Sequence, residues 1–224
     1  MIAAGGYLSY LSNKKRLALF TRFAAANGWT LTQRNDAWAG RWEGTPFAGG
    51  DHRTARLVLE GPWQGRGMVA FDYSFQTHTT DSQGHRSTTT HRYAVCAVAM
   101  PTALPRLQVT RENILTRFGG AIGLGDIEFE SEDFNRTFRV TCPDPKFASD
   151  VIHPRQMAML LAAAPRMGSV AWRMEGSDLI CWADGRQDPA KTLERLALLG
   201  AVLDGVPSFV WHDRGVQGSG PGTA

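Results

Sequence analysis

The chain has 224 residues, 43% hydrophobic and 20% charged, the composition of a folded protein that can bury a core and not of a disordered one. Its 24 basic and 21 acidic residues leave a formal charge of +3, and the arginines are scattered instead of clustered on one element, which excludes the footprint of nucleic-acid binding. Cys96, Cys142 and Cys181 show no C-x-x-C spacing, so zinc-knuckle and thioredoxin-type chemistry are excluded; their apolar strand-like contexts suit buried thiols in a reducing, cytosolic setting.

The first eleven residues, MIAAGGYLSYL, are apolar and uncharged, and Asn13-Lys14-Lys15-Arg16 follows at once. Apolar residues meeting basic ones is the pattern of a membrane helix ending at the cytoplasmic face, but spanning takes about 20 apolar residues and this run has roughly half. With no basic region ahead of it and no A-x-A site behind it, the run is not a secretory signal. It reads as an amphipathic extension of a soluble protein or as the remnant of a membrane anchor. Lys14, Lys15 and Arg16 are the candidate membrane contacts. Residues 1–16 form this segment, residues 17–213 a single domain, and the Gly-rich residues 214–224 a disordered tail.

A helix is predicted over Lys14–Asn27, with Leu17, Phe20 and Ala24 on its apolar stripe and Gly28 ending it. Strands follow to Val109, cut by Gly and Pro. Val69–Thr79 alternates, Phe71, Tyr73 and Phe75 against Asp72, Ser74 and Gln76, and a two-residue turn at Gly84-His85 pairs it with Tyr93–Met100. That register sets Phe71 opposite Val98, Tyr73 opposite Cys96, and His78 opposite His91. A helix from Arg111 with Thr110 as its cap comes next, then a strand over Phe134–Thr141. Asp144-Pro145 and His153-Pro154 each open a helix with proline in its first turn, the second running to Ala164. A second hairpin is predicted from Ser169–Met174 and Asp178–Ala183 around Gly176-Ser177. A last helix, capped by Asp188, carries Leu193, Leu196, Leu199 and Leu203 to Gly205.

The stretch Phe129–Leu161, FESEDFNRTFRVTCPDPKFASDVIHPRQMAMLL, resembles an uncharacterised bacterial domain family common in actinobacteria, whose members often carry an N-terminal membrane helix. Further likenesses lie at Phe23-Ala24 through Gly28-Trp29, at Gly44-x-Pro46-Phe47, at Gly65-Arg66 leading into Ala70-Phe71-Asp72-Tyr73, and at Pro207-x-Phe209-Val210-Trp211. The family has no established catalytic residues, so the resemblance implies only a domain beside a membrane.

Candidate chemistry is sparse. His78 and His91, with Asp81 and the turn residue His85 near them, could supply zinc ligands, although a Thr-rich solvent-facing tip is the plainer reading of the same residues. In Asp126, Glu128, Glu130, Glu132 and Asp133 nothing sets one carboxylate apart from another, which acid/base catalysis requires; a solvated face paired with Arg136 or Arg139 fits better. Trp38 and Trp42 flank Arg41 in a loop-like stretch, and these three are the candidate ligand-contact residues. P-loop, H-E-x-x-H, G-x-S-x-G and EF-hand signatures are all missing from the sequence.

The expected fold is α+β, mostly antiparallel sheet with N-terminal, inserted and C-terminal helices; the strand count resembles a pleckstrin-homology-like barrel. Three functions compete: a non-catalytic, cofactor-free domain at the inner face of the cell membrane, contacting lipid or a membrane protein; a soluble small-ligand-binding module; and a metal-dependent hydrolase using the hairpin histidines.

Overall fold

The computed structural model describes residues 2–111 and 126–215. Helix α1 (Ile2–Asn27) begins well before Lys14, so the apolar run and the basic residues share one helix. It ends where Gly28 takes φ +68 and the Trp29 N–H reaches back to the Ala24 carbonyl, a bond that the left-handed residue makes geometrically open. Four antiparallel strands follow: β1 (Thr30–Arg34), β2 (Asp51–Trp63), β3 (Arg66–Thr80) and the long β4 (Arg86–Arg111). Next come β5 (Asp126–Ile127), α2 (Glu132–Thr137), β6 (Phe138–Thr141), α3 (Pro145–Val151), α4 (Pro154–Met167), β7 (Ala171–Asp184), α5 (Pro189–Gly205) and α6 (Ser208–Gly215). The sheet runs β1-β2-β3-β4-β6-β5, with β7 also paired to β4. The end strands β1 and β5 do not pair with each other, so this α+β sheet stays open instead of closing into the barrel that the strand count resembled.

Both faces of the central strands are buried. Met68, Ala70, Cys96 and Val98 join one core with Phe20 and Ala24 of α1 and with Leu196, Leu199 and Leu203 of α5. Val69, Phe71, Tyr73, Val95 and Trp182 join a second core with Trp42 and Phe47 of the β1–β2 connection. Two-sided burial explains why Met68–Phe71 is apolar without a break. The three free cysteines are buried, and burial, followed by the neighbouring Cys96, pushes the Cys181 thiol well above its ordinary value.

The hairpin register differs from the expected one. β3 pairs Phe71 with Val95, Tyr73 with Tyr93, Phe75 with His91 and His78 with Thr88. The turn is longer than Gly84-His85: Asp81 Oδ1 accepts the N–H groups of both Gln83 and His85, and Gly84 takes φ +84. An Asp able to bond its own downstream backbone builds a turn of its own, and the slip of three residues puts β4 on opposite faces from those anticipated.

Three further expectations change. Gly176 is not a hairpin turn but a residue at φ +57 inside one continuous β7, lying opposite Leu104 of an irregular stretch of β4 that contains Pro101. The irregularity at Gly176 reverses the strand's alternation, which lets Trp172 and Met174 share the first core with Leu179 and Cys181. Phe134 belongs to α2, because Ser131 caps that helix by accepting the Phe134 N–H; the strand begins only at Phe138. β4 continues through Thr110 and Arg111, and the helix expected after Thr110 lies outside the described residues, as does the tail beyond Gly215.

The remaining helix starts follow the sequence. Asp144, His153 and Asp188 cap α3, α4 and α5, each with proline in the first turn.

Tyr73 supplies a first test. Its fully buried hydroxyl donates to the Phe47 carbonyl at 3.1 Å, and burial raises the phenol from 10.0 to about 12. Between those values the native state keeps a proton that the unfolded chain has released. This contribution to stability is therefore whole below the unfolded value and falls as pH rises through the window, by about 1.4 kcal/mol per pH unit. Tyr73→Phe is expected to remove that slope in urea melts taken below and within the window, at a neutral-pH cost of about 1 kcal/mol for the lost bond.

Candidate functional site

One basic side chain of α1, Arg16, is bonded into the domain. Arg16 Nη2 donates to Asp72 Oδ2 at 2.9 Å, to Asp72 Oδ1 at 3.2 Å and to the Gln187 carbonyl at 2.8 Å, and its guanidinium lies 4.8 Å from the Phe20 ring centroid. Asp72 Oδ1 also accepts the Gln187 N–H at 2.6 Å. The buried Gln187 side chain donates to the carbonyl of Leu57, which sits at φ +49 where β2 bulges between Arg56 and Leu59. One charge-assisted cluster thus ties α1, β2, β3 and the β7–α5 connection together. Of the three basic residues beside the apolar run, Lys14 and Lys15 are exposed, whereas Arg16 is turned into the protein.

Next to this cluster lies an open cleft of about 640 Å³, walled by α1, by short pieces of β1, β2, β3 and β4, and by Arg186. Its floor is the sheet face that is apolar at Met68 and Ala70. From Asp72 onward the same face carries Arg56 opposite Asp72 and Ser74 opposite Arg92.

Trp38, Arg41 and Trp42 cluster as neighbours, but not as an open aromatic pair. Trp42 is buried, stacks on Phe71 with centroids 6.1 Å apart, and donates Nε1 to Asp178 Oδ2 at 2.9 Å. Arg41 Nε reaches the same oxygen at 2.7 Å while its guanidinium lies over Trp38, whose Nε1 donates to Glu60. The trio therefore covers the second core.

The hairpin residues part company. Phe75 faces His91, so His91 shares the Phe75 face and His78 lies on the other. His91 stacks on Phe75 at 4.7 Å and meets Thr77 Oγ1; His78 contacts Thr88 and, at 3.2 Å, Asp51. Asp81 holds the turn, its carboxyl kept below the usual range chiefly by the His85 N–H. Among the described residues no group of three or more His, Cys, Asp or Glu side chains is placed to hold a metal. In the acidic run, Asp126 pairs with Arg139, and Glu132 and Asp133 with Arg136. Asn135 bonds both the N–H and the carbonyl of Phe129, fixing the turn before α2.

Sequence reasoning missed Asp72 and Arg173. The signal available for both was a charged residue inside an apolar strand run, FDYSF and AWRM, where a charge persists only with a partner. It also missed the convergence of Arg56, Arg92 and Arg186, which only the fold creates.

No protein-family model matches the chain, and no characterised protein matches it in sequence. Among solved structures it is similar to the crystal structure of the mycobacterial trehalose monomycolate transport factor A, TtfA, at 13% identity and a TM-score of 0.57, over 84% of this chain and 94% of that one. At that identity the likeness is one of fold.

Proposed function

We propose that this chain is a non-catalytic domain that works at the cytoplasmic face of a membrane through lipid or protein contacts, in the handling of a lipid. The observation that carries the reading is α1. Its second half packs into the core through Phe20 and Ala24, and its first half continues the same helix into an apolar sequence, with Lys14 and Lys15 exposed at the junction. No helix among the described residues is long and apolar enough to cross a membrane. The fold's likeness to a transport factor for trehalose monomycolate points the same way. The conspicuous charged clusters, at Asp72, Asp178 and Arg173, hold elements together, which suits a scaffold.

Flotation on vesicles of phosphatidylcholine and phosphatidylglycerol tests this. Basic residues near an anionic surface contribute about 1 kcal/mol each, so Lys14→Gln/Lys15→Gln is expected to weaken binding about thirtyfold. Equal flotation of the variant removes these lysines from the contact. Failure of the native chain to float removes the membrane reading itself.

A further inference from the structure

We propose that the cleft beside α1 is a binding site for a phosphate-bearing headgroup. Such a site deepens the membrane reading and rests on it for the source of the ligand, but not for the site's chemistry.

Charge is concentrated here beyond what the composition predicts. Lys14, Arg16, Arg56, Arg92 and Arg186 line the cleft with Asp72 as the one carboxylate, a formal +4. The whole chain is +3, so everything outside the cleft sums to slightly acidic. The cations come from α1, β2, β4 and the β7–α5 connection, far apart in sequence, and so are not a by-product of one basic segment.

Nor do they neutralise one another's surroundings. Asp72 is already occupied by Arg16 and by the Gln187 N–H. Among the described residues, Lys14, Arg56, Arg92 and Arg186 form no ion pair, whereas Arg34, Arg41, Arg66, Arg139 and Arg173 each have a carboxylate within 4.0 Å. Arg16 Nε is buried with no acceptor among the described residues.

The dimensions and chemistry fit one class of ligand. Pockets for small ligands run from about 300 to 1,000 Å³, and this one falls inside that range. Guanidinium forks match phosphate oxygens two at a time, and several convergent cations favour a multiply charged anion over a carboxylate. Leu17 and Leu57 add apolar wall for the glycerol or sugar carrying the phosphate. Lys14 lies three residues past Leu11, about 4.5 Å along the helix, so a headgroup beside the apolar run is within reach of the cleft.

The experiment uses the full chain, with Arg92→Ser/Arg186→Ser as the cleft variant and Arg155→Ser/Arg166→Ser on α4 as an equal-charge control; all four positions are exposed. Inorganic pyrophosphate is titrated calorimetrically, and flotation is run on phosphatidylcholine vesicles with and without phosphatidic acid. Pyrophosphate is expected to bind the native chain and the control alike and the cleft variant about a hundredfold more weakly. If pyrophosphate does not bind, but phosphatidic acid improves flotation of the native chain and control and not of the cleft variant, the site takes the headgroup only within a lipid. If cleft variant and control behave identically with both probes, the proposal is overturned, whether or not α1 still carries the protein to vesicles. Binding of pyrophosphate by a chain that floats on no vesicle leaves the site standing and removes the membrane reading.

Discussion

Arg173→Ala is expected to cost about 3–5 kcal/mol of folding stability. Arg173 is fully buried, yet it carries a charge. Nη2 donates to the Glu43 carbonyl at 2.8 Å and lies 2.6 Å from Glu175 Oε2, while Nη1 donates to the Thr45 carbonyl at 3.2 Å. Glu175 Oε1 in turn accepts the Glu43 N–H, and the guanidinium lies over the rings of Phe47 and Trp182. Alanine would therefore leave the Thr45 carbonyl without its donor, the Glu43 carbonyl with Arg106 alone and the Glu175 carboxylate without its cation, and open a cavity beneath the β1–β2 connection. Gly44 belongs to the same arrangement: it takes φ +69, and a Cβ there would collide with Arg106, which also donates to the Glu43 carbonyl.

The same burial works against the cation, lowering Arg173 from its ordinary value to about 10 despite Glu175. A base with a depressed native value loses its proton in the folded state first. Its contribution to stability thus rises with pH between those two values, opposite in sign to that of Tyr73. Since the charge itself is costly, Arg173→Met, which fills the volume without it, is expected to lose less than about 2 kcal/mol. Urea melts of the two variants beside the native protein decide the matter. Equal losses for alanine and methionine would show that the hydrogen bonds, and not the volume, set the effect.

The sequence made local chemistry legible and long-range pairing much less so. Asp144, His153 and Asp188 cap helices because cap and proline signals act within four residues. The end of α1 at Gly28 was readable for the same reason. The hairpin register was not, because Gly84-His85 and the Asp81-led loop are both acceptable turns, and they differ by three residues of slip. β7 misled for a subtler reason. A hairpin at Gly176 and a strand irregularity at Gly176 both put Trp172, Met174, Leu179 and Cys181 on one core face, so the apolar pattern cannot separate them. The candidate site was legible only at Lys14–Arg16. Its other walls are short pieces, one to three residues each, of β1, β2, β3, β4 and the β7–α5 connection, and no local pattern links them.

Asp72→Ala is expected to lower stability by about 2–3 kcal/mol and to loosen α1 ahead of the rest of the fold. The Asp72 side chain is only 17% exposed and that of Arg16 21%, so their pairing is more than a solvent-screened surface contact. With alanine in place, Arg16 keeps only the Gln187 carbonyl and the Gln187 N–H loses its acceptor. Phe20 and Ala24 still seat the later turns of α1 in the core. Hydrogen exchange should therefore quicken first in the helix before Phe20, with the sheet unchanged. Asp72→Asn separates charge from geometry: its side-chain oxygen can still accept the Gln187 N–H, so only the ion pair with Arg16 is lost, and an intermediate effect is expected. If α1 exchanges at the native rate in both variants, packing at Phe20 and Ala24 alone fixes the helix. The bonds from Arg16 to Asp72 and to the Gln187 carbonyl would then orient the Arg16 side chain at the edge of the cleft without holding α1 in place.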